Sequence, residues 1–122
     1  MKRNQVCILL LCFLSLEMQS CTSKKEEVLN PCDTSKVSYA KNIVPIVSQN
    51  CYKCHDSGNA RLFGGGHYLD SYDSLKAHIK CGLIDAIEHN AGVIPMPEGA
   101  PKLPDCDIAK IKAWVNQGAL NN

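Results

Sequence analysis

The stretch IVPIVSQNCYKCH, from Ile43 to His55, decides how the rest of the chain is read. Cys51 and Cys54 flank two residues and His55 follows at once, a CxxCH pattern that is the attachment signature of a covalently bound haem. The spacing has a chemical reason. Two thiols this close along the chain can both bond the vinyl groups of one macrocycle, and the adjacent imidazole then offers iron a strong-field axial ligand. Rival uses of the same residues fit less well. A structural zinc site needs four ligands, usually from two such cysteine pairs, and the chain has one pair. A redox dithiol of the thioredoxin type wants strands around it, and no alternating strand pattern occurs. A plain Cys51–Cys54 disulfide leaves His55 without a role.

Working outward, Ile43, Val44, Ile46 and Val47 surround Pro45, and proline is best tolerated in a first helical turn, so a short helix is predicted from Pro45 into Cys51. Gly64, Gly65 and Gly66 make Asp56 to Tyr68 a predicted loop. Tyr72, Leu75 and Ile79 recur at helical spacing, with Ser71 or Asp70 as cap and Gly82 as terminator. Leu83, Ile84 and Ile87 mark another short helix, closed by Asn90 and Gly92. In the last helix Asp105 is the expected cap, Asp107 sits in the positive first turn, and Ile108, Ile111, Trp114 and Val115 share a face that ends at Gly118. The expected fold is all-α: roughly three to five helices and long loops that need something to pack around.

A haem iron with His55 on one side needs a sixth ligand. Met96 lies 41 residues on, inside GVIPMPEGAPKLPD, where Pro95, Pro97, Pro101 and Pro104 restrict the backbone. A stiff loop can hold a weak thioether bond at small ordering cost, and methionine ligation raises the reduction potential and favours electron transfer. His67, His78 and His89 are the rivals. His89 falls opposite the Leu83/Ile84/Ile87 stripe and is expected in solvent. His78 sits at the edge of its apolar face, and His67 follows three glycines and is poorly preorganised.

At 122 residues and 13.4 kDa the chain holds one domain. Eight cysteines point to an oxidising compartment, and a formal charge of +1 gives no footprint for nucleic acid. Lys2 and Arg3 precede the eleven-residue apolar run Val6 to Leu16, too short to span a bilayer and the length of a signal-peptide core. Residues 1–20 are therefore expected to be a signal peptide, with Cys21 in a loose lipoprotein box as the acylated mature terminus. Residues 21–37 would be a polar, lipid-anchored linker and 38–122 the domain itself. This places the protein outside the cytoplasm, on a bacterial membrane, at its periplasmic face or outer surface.

The segments IVPIVSQNCYKCH, VIPMP and DIAKIKAWVNQGA together resemble the class I monohaem cytochromes c, and among them the small lipoprotein-type domains of Gram-negative bacteria. The resemblance covers about 38–120. It implies haem c held by Cys51 and Cys54, with His55 and Met96 as the axial iron ligands. It further implies first and last helices that cross, and Ile111 and Trp114 on the wall of the haem pocket. Pro45 and the short spacing to Met96 depart from the family. The implied function is single-electron transfer with no catalytic residue. Partners would be redox proteins docking weakly, and the membrane through the lipid. The alternative is a haem sensor or peroxidase-like module with an open or His67-ligated sixth position. Cys32, Cys81 and Cys106 are left over. They can form Cys32–Cys106 or Cys81–Cys106, and the resemblance is consistent with the first.

Overall fold

A computed structural model describes residues 32–122. The expected signal peptide, Cys21 and most of the linker lie outside the described residues. The chain runs through a π-helical turn, Tyr39–Ile43, then α1 (Val44–Asn50), α2 (Tyr52–His55), α3 (Ala60–Phe63), α4 (Tyr72–Ile79), α5 (Leu83–Glu88) and α6 (Asp105–Asn116), with no strand among the described residues. The fold is all-α.

Pro45 does not stop the first helix. A proline ring inside a helix clashes with the carbonyl four residues back, here that of Lys41, and the turn before it is wound wider. The Val44 N–H reaches back to the Tyr39 carbonyl and the Ile43 N–H to that of Ser38, the five-residue register of a π turn. Ser38 caps this segment by accepting from the Lys41 N–H at 3.3 Å.

Residues 117–122 close over the same region. The Asn122 carbonyl accepts from the Ala40 N–H at 2.9 Å and from the Ser38 hydroxyl at 2.8 Å. Trp114 Nε1 donates to the Leu120 carbonyl at 2.9 Å, and the Tyr72 hydroxyl to that of Ala119 at 2.8 Å. Trp114, fully buried, stacks on Tyr39 at 5.6 Å between centroids and meets Tyr72 edge-on at 6.4 Å. This aromatic cluster joins α6, α4 and the π turn. Ile43, Ile46, Val47, Leu75, Ile87, Ile108 and Ile111 extend the core around it.

Three local expectations are corrected. Asp56 to Tyr68 is not all loop: α3 lies inside it, anchored by the buried Ala60. A four-residue helix with one small buried side chain has no apolar period to reveal it. Asp105 is the first residue of α6 and not its cap, because Pro104, at φ −52° and ψ 140°, enters extended and takes the cap position. Asp105 and Asp107 both remain in the first turn, where negative charge is favoured. α5 ends at His89, in the left-handed region at φ 58°, ahead of the Asn90 and Gly92 expected to close it.

Residues just ahead of 38 also pack against the body. Val37 is 3% exposed, its N–H donates to Gln117 Oε1 at 3.0 Å, and Gln117 Nε2 donates to the Thr34 carbonyl at 2.9 Å. Cys32 and Cys106 are joined in a disulfide across 74 positions, with Cα atoms 5.2 Å apart, while Cys81 is exposed and unpaired. Closing a loop of that length stabilises by about 2–4 kcal/mol, chiefly by restricting the unfolded chain. Cys32→Ser should therefore lower the melting temperature by roughly 10 °C or more, and an unchanged melting curve after reduction would count against that contribution.

Candidate functional site

Cys51 closes α1 and opens α2: its N–H donates to the Val47 carbonyl at 2.8 Å, and its own carbonyl accepts from Cys54 N–H at 3.1 Å and His55 N–H at 2.9 Å. One helical turn thus carries both thiols and the imidazole. Neither thiol is in a disulfide, and both residues are half-buried. Burial pushes the Cys51 thiol up to about 11, the opposite of the lowered value a redox dithiol needs for attack. In haem-free protein, alkylation of Cys51 should stay slow at neutral pH and accelerate as pH approaches about 11. The sign for stability follows. Below the ordinary thiol range Cys51 is neutral in both states. Between that range and about 11 only the unfolded chain loses the proton, so this site lowers haem-free stability as pH rises. Mass-spectrometric labelling rates across the pH range check the first point and alkaline melting curves the second.

His55 is aimed from its far side. Its Nδ1 lies 2.9 Å from the His67 carbonyl oxygen, which can only accept, so Nδ1 carries the proton and Nε2 keeps its lone pair for a metal. The His55 carbonyl in turn accepts from the Leu69 N–H at 2.8 Å. The loop that supplies these contacts comes close at Gly64. A Cβ there would fall onto the Cys54 carbonyl oxygen and within 2.7 Å of His55 Nδ1. Only a residue without a side chain fits.

Met96 is half-buried in the proline-rich loop between α5 and α6. Its N–H donates to the Ala86 carbonyl at 2.9 Å and its carbonyl accepts from His89 Nε2 at 3.0 Å, so both backbone groups of this residue are tied to α5 or its end. The expectation that His89 faces solvent is thereby corrected: it is half-buried and holds the Met96 backbone. His89→Ala should leave the core intact and loosen this loop by about one hydrogen bond, roughly 1 kcal/mol, read as faster amide exchange at Met96. Unchanged protection there would refute the tether.

Ile111 and Trp114 lie in the core, Trp114 with its indole N–H already engaged. His67 is exposed and His78 half-buried, and their rings meet edge-on at 5.2 Å between centroids. A shallow groove along α6, lined in part by Glu88, Lys102, Ile108 and Lys112, includes none of the donor residues. Lys112 donates to Glu88 there at 2.6 Å and holds that carboxyl below the usual carboxylate range.

These residues fit a covalently held haem. The donor set is two unoxidised thiols, an imidazole with a bare Nε2, and a thioether, which suits haem iron. No group of three or more His, Cys, Asp or Glu that could cage a free ion occurs among the described residues. Large apolar side chains stand in solvent in or beside the segments that carry the candidate donors. They are Leu62 and Phe63, 76% and 66% exposed on the α3 turn packed against α2, and Val93 and Ile94 just ahead of Met96. Bare apolar surface of that kind suits contact with another apolar body.

Sequence reasoning proposed Cys51, Cys54, His55 and Met96 as donors and did not anticipate the contacts of Gly64, the His67 carbonyl and His89, none of which carries a spacing signal. No family model matches the chain, and no solved structure matches it. Among curated proteins, hydrazine synthase subunit alpha of Kuenenia stuttgartiensis is 30% identical over 93 residues, which is 76% of this chain. The similarity joins most of this chain to a short stretch of a far longer protein, of whose length it spans 11%.

Proposed function

We propose that this chain is a monohaem c-type cytochrome that carries single electrons outside the cytoplasm. The observation that supports it most directly is the commitment of His55 Nδ1–H to the His67 carbonyl, on the same helical turn as two unpaired, half-buried thiols. When bound, haem supplies a one-electron couple at its iron. The chain's own residues do the rest. Cys51 and Cys54 would hold the group, His55 would offer Nε2 and Met96 its thioether to the iron, and the Ala86 carbonyl and His89 fix the Met96 backbone. No side chain is asked to act as an acid or base. The near-zero net charge favours brief docking to redox partners over strong electrostatic steering. Acylated Cys21 would keep the domain at a membrane surface. The relative's name denotes a synthase subunit, but the match spans 11% of it, and the shared part is read as an electron-carrying module.

The test is spectroscopic. Protein exported from a host with a working haem-attachment system should gain the mass of one haem and give the alkaline-pyridine spectrum of a doubly thioether-bonded haem. Oxidised protein should show the weak near-infrared sulfur-to-iron band. Ready binding of carbon monoxide with no such band would favour the sensor or peroxidase-like alternative, and a colourless product would end the haem reading.

A further inference from the structure

We infer that His78 is a positioning residue for the haem-ligating imidazole of His55, acting through His67. The inference rests on the electron-carrier reading and deepens it. Three hydrogen bonds run in series from α4 to the CxxCH turn. His78 Nδ1 lies 2.7 Å from the Ser74 carbonyl oxygen, His67 Nδ1 lies 3.0 Å from His78 Nε2, and His55 Nδ1 lies 2.9 Å from the His67 carbonyl oxygen.

The two carbonyl acceptors set the direction of this series. A carbonyl only accepts, so His78 Nδ1 carries a hydrogen, and the neutral tautomer of that form leaves Nε2 bare. That bare nitrogen must accept, so His67 donates from Nδ1. The His67 carbonyl then accepts from His55.

Residue 67 needs such an anchor. It follows Gly65 and Gly66, both at positive φ, 60° and 81°, and its own N–H is held by the Gly64 carbonyl within the same loop. Besides the bond from His55 itself, the ring-to-ring bond is what ties it to α4. His78 leaves α4 one turn beyond Ser74, to which it is bonded, so the anchor point is rigid. A carbonyl held on Nδ1–H makes the opposite nitrogen more basic, and a more basic axial ligand favours the oxidised metal. Slackening the series should therefore shift the equilibrium toward the reduced form.

The experiment uses the full-length haem-bearing protein. In His78→Leu, exchange of the His55 Nδ1 proton with solvent, followed by NMR, should speed up about fivefold, the size expected for losing one hydrogen bond's net contribution. The oxidised-to-reduced ratio at fixed potential should fall by up to about fivefold, a rise in midpoint of about 40 mV. His67→Ala keeps the carbonyl but removes the ring, and should give the same shifts. The double variant should add nothing further. His78→Gln, which retains a donor and an acceptor, should restore part of both. If His78→Leu fails to mature, His67→Ala, at an exposed position, carries the test.

Wild-type exchange and potential in both single variants would overturn the inference. So would shifts that sum in the double variant, or a lowered melting temperature with neither readout moved. Those outcomes leave the haem reading standing, whereas a wild-type protein without haem overturns both.

Discussion

Replacing Cys51 and Cys54 together by serine should give an exported chain without bound haem that is degraded or recovered only in trace, protease-sensitive form. The substitutions themselves are mild, one sulfur for one oxygen at half-buried positions, so the size of the effect measures what the thiols retain. A chain of this size buries only about two thirds of its unfolded surface. Its fully enclosed large side chains are Trp114, Ile43 and Leu75, while Leu62, Phe63 and Ile94 stay in solvent. The long loop before α6 is held at Met96 by two hydrogen bonds, one to the Ala86 carbonyl and one from the His89 ring. A macrocycle burying several hundred Å² of apolar surface, at about 25 cal/mol per Å², contributes on the order of the whole stability of such a domain, about 5–15 kcal/mol. Yield, limited proteolysis and near-ultraviolet circular dichroism measure the outcome. A folded, colourless double variant in normal yield would show that the chain does not depend on the group.

Gly64→Ala should be the most damaging glycine-to-alanine change among the described residues. The added carbon would meet the Cys54 carbonyl oxygen, His55 Nδ1 at 2.7 Å and the Ala60 Cα at 3.1 Å. Two of these are backbone atoms of α2 and α3, so no side chain can swing aside and one helix must shift. Overpacking of this kind costs roughly 1–3 kcal/mol. The shift would also fall on the Nδ1–H bond that orients His55, so haem incorporation should drop along with the melting temperature. Gly66→Ala provides the comparison. Its Cβ meets nothing within 4 Å, but its φ of 81° lies in the left-handed region, where a side chain costs roughly 1–2 kcal/mol. It should lower stability and spare haem incorporation. If Gly66→Ala impairs incorporation more than Gly64→Ala, the close approach at residue 64 does not govern the site.

The three consecutive glycines illustrate how differently sequence and structure speak. Read along the chain, they are one flexible loop. In the fold, Gly64 is buried against the CxxCH turn with no room for a Cβ, while Gly65 and Gly66 take positive φ, Gly65 beside the His67 ring and Gly66 in open space. Similarly, α4 and its Ser71 cap were legible because both are local: the periodic residues and the Ser71 side chain, which accepts from the Ser74 N–H, fall within two turns. α3 was invisible because its stability comes from packing on α2 and not from its own four residues.

The helical class, the placing of two thiols and an imidazole on one turn, and the candidate thioether were legible in the sequence, since spacing and periodicity are properties of neighbouring residues. Tertiary structure alone decided which carbonyl receives His55, which imidazole holds Met96, and that Cys32 and not Cys81 bonds Cys106. Those contacts bring together residues 12, 7 and 74 positions apart through irregular loops. The path of such loops is fixed by what the whole core leaves room for, and no local pattern encodes it.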